Sequence, residues 1–132
     1  MRLSTKGNVM AAILVAFCNA PYVVFAEDCN EILAKLPPQD AQNPQAQMVE
    51  NFEKQCKSRP NAEDPNVMNQ CMTAGMRSMA VSGNYVAAEK MARMECAAGH
   101  DEISKTFLGM ILNNRNASDA DRAVAQDAIN NK

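Results

Sequence analysis

Four cysteines, Cys29, Cys56, Cys71 and Cys96, spread through a stretch poor in large apolar side chains, set the first limit on this chain. The fifth, Cys18, sits in sequence of another kind. Arg2 and Lys6 make a positive start, and Val9 to Ala26 then reads VMAAILVAFCNAPYVVFA without a charge. Val24 and Ala26 meet the small-residue rule for signal peptidase, whereas a cut after Ala20 would place Pro21 next in line. Residues 1–26 are therefore expected to be a cleaved signal peptide, and 27–132 one small domain. A retained membrane anchor is the alternative, but the run is 18 residues long with Asn19 and Pro21 inside it, against the usual ~20 apolar residues. Phe17 is too bulky to precede a lipid-modified Cys18. Loss of the leader leaves four cysteines, and an even number in an exported chain reads as a disulfide framework.

The remaining composition explains why such a framework helps. Phe52, Tyr85 and Phe107 are the only aromatic residues after Ala26, and eight methionines join Ala, Leu and Ile as core material. Such a core is adaptable but thin for a domain this small. The expected mature chain has 11 Lys and Arg against 15 Asp and Glu, a net charge of −4. That mild acidity argues against nucleic acid or an anionic membrane as partner, and no stable membrane insertion is expected once the leader is gone.

Helix start and stop signals divide the domain into about six short helices, and no strand pattern competes with them. Asp28 with Glu31 reads as a capping box opening a helix over 29–36, which Pro37 and Pro38 end. Asn43-Pro44 and Asp64-Pro65 each pair a capping side chain with a first-turn proline. They open helices to about Lys57 and Val81. Val49, Phe52 and Cys56, with Met48 beside them, form the apolar face of the first; Met68, Cys71, Met72, Gly75, Met76 and Met79 form that of the second. Gly83-Asn84 breaks the chain, and Asn84 caps a helix over 85–98 that Gly99 stops. Asp101 is expected to cap a helix over about 102–114 with Ile103, Phe107, Met110 and Ile111 buried. Ser118, with Asp121 three residues on, opens the last, alanine-rich helix.

The fold class is thus all-α, in antiparallel hairpins. Residues equidistant from a tight turn lie side by side in such hairpins. The midpoint of Cys71 and Cys96 is 83.5, at the Gly83-Asn84 break, and that of Cys29 and Cys56 falls in the proline-rich loop. Of the three possible pairings, Cys29–Cys56 with Cys71–Cys96 is therefore the expected one, stapling two successive hairpins.

The segment GNYVAAEKMARMECAAGHDEISKTFLGMIL, Gly83 to Leu112, resembles the tetratricopeptide superfamily, especially its Sel-like branch of helix-hairpin repeats. Gly83 and Tyr85 match the inter-helix "G-x-Y", Ala88 the small residue after it, Cys96-Ala97 the paired alanine, and Leu108-Gly109 the "L-G" opening the next repeat. Ala74-Gly75 lies 34 residues upstream of Leu108-Gly109, the superfamily's repeat length. Ala74 stands where leucine is usual, and the first hairpin shows none of the pattern. The resemblance implies a stacked-hairpin scaffold that binds other proteins, without catalytic residues. On such a scaffold the third and fifth helices would line the concave side, with Arg77, Lys105 and Asn113 exposed to a partner.

Chemistry has few footholds. His100, the one histidine, has Asp101 and Ser104 near it in sequence but no nucleophile frame, and reads as a polar junction residue. CAAGH has glycine where the haem-attachment motif C-x-x-C-H needs its second cysteine. Zinc would need the cysteines that disulfides claim. Met72, Met76, Met79, Met91 and Met94 could make a soft Cu(I) site, yet the same spacing is what a hairpin core requires. Asp101, Glu102, Asp119 and Asp121 stand in first helical turns, where the helix dipole favours negative charge. Asn116-Ala117-Ser118 is a glycosylation sequon of consequence only in a eukaryote. The expectation is an exported, periplasmic or secreted, non-catalytic protein-binding module (an adaptor, an inhibitor or immunity-type protein, or a small chaperone), with no cofactor. The alternatives are a methionine-rich copper carrier and a carrier of small lipophilic ligands. The second is argued against by cysteine spacing unlike that of helical odorant-binding proteins.

Overall fold

Proline with its capping partner fixes two helix starts. The computed structural model describes residues 28–131; the expected signal peptide lies outside them. In it Asn43 Oδ1 accepts from the Gln45 amide and Asp64 Oδ1 from the Asn66 amide, both at 2.9 Å. The described residues form six helices: α1 Cys29–Leu33, α2 Pro44–Lys57, α3 Pro65–Val81, α4 Tyr85–Ala97, α5 Asp101–Leu112 and α6 Asp119–Asn130. None of them is long and apolar enough to cross a membrane. Gly83 and Gly99 adopt φ of 102° and 83° after α3 and α4. There the Asn84 and His100 amides reach back to the Met79 and Glu95 carbonyls, the bonds of a Schellman stop.

Three local expectations need correction. Helix α1 ends at Leu33, four residues before Pro37; the Lys35 and Leu36 amides bond three residues back, to Ile32 and Leu33, in a tight turn. Helix α5 begins at Asp101, so His100 occupies the cap position, without a side-chain cap bond. Its buried face is Ser104, Phe107, Leu108 and Ile111, while Ile103 is 45% exposed and Met110 only partly covered. The Ser104 hydroxyl donates to the Ala92 carbonyl at 2.7 Å, so a small polar residue, its bond satisfied, holds the close contact with α4 and Ile103 turns outward.

Helix α4 is the centre of the array. It packs against α1, α2, α3 and α5, while α6 lies on α5 and α1. Ala87, Ala88, Met91 and Ala92 are almost wholly enclosed there; small side chains let neighbouring helices approach on several sides. Between α2 and α3 the approach is tighter: the Phe52 ring lies against Gly75, leaving no room for a β-carbon.

The disulfides are Cys29–Cys96 and Cys56–Cys71, which overturns the expected pairing. Equidistance from a turn pairs residues close to it and fails far from it. Cys56 and Cys71 have their midpoint at 63.5, beside the Asp64 cap, and bridge α2 to α3. Cys71 and Cys96 are each over 12 residues from their turn, about 18 Å along a helix; a crossing angle of about 20° opens a helix pair by about 6 Å over that length. Helix α1, only 5 residues long, does not form a hairpin with α2. It packs on α4 and α6, and Cys29 thereby meets the end of α4.

Candidate functional site

Helix direction brings three connections to one end of the domain: the α1–α2 loop, the α3–α4 turn and the α5–α6 loop. The disulfides lie toward the other end. At the loop end the chain replaces apolar contact with polar bonds. Asn84, 6% exposed, caps α4 through its Oδ1 on the Ala87 amide (3.0 Å) and donates through Nδ2 to the Gln45 carbonyl (3.1 Å). Gln45 Oε1 accepts from the Tyr85 amide at 2.8 Å. Asn114 Nδ2 donates to the Gly83 carbonyl at 2.6 Å, and Arg122 Nη1 to the Asn114 carbonyl at 2.8 Å.

Deeper in this end, Tyr85 and Glu89 of α4 face the α1–α2 loop and α6. Asn43 Nδ2 donates to the Tyr85 hydroxyl at 2.7 Å, and that hydroxyl donates to Gln39 Oε1 at 3.1 Å. Burial, then the Asp121 charge, raises the Tyr85 phenol above 10.0, against the pull of its Asn43 bond. Gln39 Nε2 donates to Glu89 Oε1 at 2.9 Å. Asp121 closes a capping box with Ser118: the Asp121 amide donates to Ser118 Oγ, which in turn donates to Asp121 Oδ2 at 2.6 Å. In the sequence Asp121 is legible as a first-turn acid that pairs with Ser118 three residues before it, whereas Glu89 has no expected role. A signal for Glu89 existed: with Tyr85, Ala92 and Cys96 it falls on one helical stripe, and all four are buried.

Two open grooves flank the α3–α4 turn. One, about 280 Å³, runs between α2 and the end of α3 past Gln45, Met48, Met79 and Asn84. The other, about 290 Å³, passes Val81, Tyr85, Met110, Asn113 and Asn114. Met48 and Val81, on their rims, are 55% and 68% exposed. Met48 therefore departs from the buried face expected of it beside Val49.

Of the partner-binding candidates, Asn113 lines the second groove. Arg77 is exposed on α3, and Lys105 is half-buried on α5 with Glu102 at 3.7 Å. Both grooves use the α3–α4 turn, which the expected concave surface omitted. Of the five methionines weighed as copper ligands, Met76 and Met91 are fully buried in the core cluster, and Met72, Met79 and Met94 are partly buried and packed against it. His100 Nδ1 lies 3.0 Å from Glu95 Oε1 at the surface, whereas the Ser104 hydroxyl is spent on Ala92. The two therefore form no nucleophile and base pair.

No family model matches the chain, and no curated protein or solved structure is significantly similar to it.

Proposed function

We propose that this is an exported, non-catalytic module that binds another protein across the two grooves beside the α3–α4 turn. The observation that carries the reading is the pair of exposed apolar side chains, Met48 and Val81, on the rims of adjacent grooves held by a polar network. Apolar side chains left in water at the rims of neighbouring grooves support a protein interface, and flexible thioethers such as Met48 and Met79 adapt to a partner's shape. Each groove is open along its length rather than an enclosed cavity, which favours a protein over a lipophilic ligand. The two disulfides suit an oxidising compartment, supporting a periplasmic or secreted location. A tetratricopeptide-like scaffold remains part of this reading, resting on packed antiparallel helices and not on disulfides joining successive hairpins.

The test places a photo-crosslinking amino acid at position 48 or 81 and, as control, at exposed Glu63. Adducts from the exported fraction are expected at 48 and 81, competed by unlabelled protein but not by its M48D/V81D variant. Adducts as strong at 63, or insensitive to that competition, overturn the reading.

A further inference from the structure

Glu89 and Asp121 are 2% and 3% exposed, a costly place for two carboxyl groups. Each has one oxygen accounted for: Glu89 Oε1 accepts from Gln39, and Asp121 Oδ2 accepts from Ser118. Their other oxygens, Glu89 Oε2 and Asp121 Oδ1, are the buried side-chain polar atoms left without a partner among the described residues. The two carboxyl groups stand within hydrogen-bonding reach of each other. Two ionised carboxylates are acceptors only, but one protonated partner becomes a donor. A single proton therefore satisfies both orphan atoms. A hard cation would need about six oxygen ligands, and no third Asp, Glu, His or Cys converges with them among the described residues.

We infer that Glu89 and Asp121 share one proton in a buried acid–carboxylate hydrogen bond that latches α6 and the α1–α2 loop onto α4, and that removing this proton loosens the loop end of the domain. The latch spans three segments: Gln39 from the loop, Glu89 from α4, and Asp121 from α6 with Ser118 just before that helix. Burial first, then the hydrogen bond and charge of Asp121, push the Glu89 carboxyl up from 4.5 to about 9, while Arg93 and Gln39 pull it the other way. The groups facing it are Asp121 from α6, Arg93 and Tyr85 from its own helix, and neutral Gln39 from the loop. Lys90, next in sequence, is turned to Glu53 of α2 at 2.7 Å. Because the folded value is the raised one, the contribution to stability is complete below about 4.5 and is lost as pH rises through about 9. The inference does not depend on the binding role proposed above.

The Glu89→Gln variant tests it in the full disulfide-bonded protein. An amide keeps both bonds, accepting from Gln39 and donating to Asp121, without a titrating proton. Relative to E89Q, the wild-type folding constant should fall by up to tenfold per pH unit between pH 5 and 9, read from urea unfolding at each pH. Parallel pH profiles for the two proteins overturn the latch. Should E89Q not fold, the carboxyl ¹³C resonance of Glu89 in the wild type decides alone. Titration several units above 4.5 supports the shared proton, and titration in the ordinary carboxylate range overturns it.

Discussion

Gly75 shows how much one missing methyl group sets in this domain. It supplies the flat surface on which Phe52 lies, one of three aromatic rings left after Ala26. Gly75→Ala raises helix propensity by up to about 1 kcal/mol, yet its β-carbon would occupy the ring's place. Overpacking costs typically about 1–3 kcal/mol, so G75A should lower stability overall, seen as an earlier urea midpoint with unchanged slope. Gly75 was legible as part of an apolar stripe; that it receives a ring from α2 was not, because the contact is set by how two helices cross. Asp121 teaches the same lesson from the polar side. Its bond to Ser118 follows from a spacing of three, but its second oxygen meets Glu89, 32 positions away, and nothing local announces that meeting.

Local chemistry was most legible at helix ends, where the signals are short-range. Asn43-Pro44, Asp64-Pro65, Gly83-Asn84 and Ser118 with Asp121 each act where they stand in sequence. Asn84 does more than its cap position implies. Besides holding the Ala87 amide it donates to the Gln45 carbonyl, so α2 and α4 start in register. Loss of an N-cap costs about 1 kcal/mol, and the lost bond to the Gln45 carbonyl adds about 0.5–1.5 kcal/mol. Asn84→Ala should therefore destabilise by about 1.5–2.5 kcal/mol, whereas Asp64→Ala, which removes an exposed cap on α3, should cost about 1 kcal/mol. Chemical denaturation of the two variants side by side checks the difference. Helix α5 shows the limit of such local signals. Apolar periodicity favoured Ile103, but the bond from Ser104 to Ala92 turns the helix so that serine is inside.

Taken together, the six helices are fastened differently at their two ends: disulfides toward one, a hydrogen-bonded network with a buried acid pair at the other. That the chain folds into six short helices could be read from capping and glycine signals; which cysteines meet could not, since it depends on α1 leaving α2 for α4 and α6. The real pairing also divides the stabilisation unequally. Cys56–Cys71 closes a separation of 15 residues and Cys29–Cys96 one of 67, worth about 3 and about 4 kcal/mol by loop entropy. Replacing Cys29 and Cys96 with serine should thus lower the thermal midpoint more than replacing Cys56 and Cys71. Equal losses, measured by calorimetry, would contradict that account.

The nested arrangement of the two bridges bears on how the molecule is made. Cys56–Cys71 lies wholly inside the span that Cys29–Cys96 closes. A chain oxidised in the order it is threaded out would meet Cys56 while Cys29 stands unattached, and joining neighbours in turn would use up both sulfurs wrongly. Native molecules therefore require either that Cys29 wait for the fourth helix or that a thiol–disulfide exchange catalyst undo the early bond, so yield should follow the shuffling capacity of the host compartment more closely than its oxidising strength.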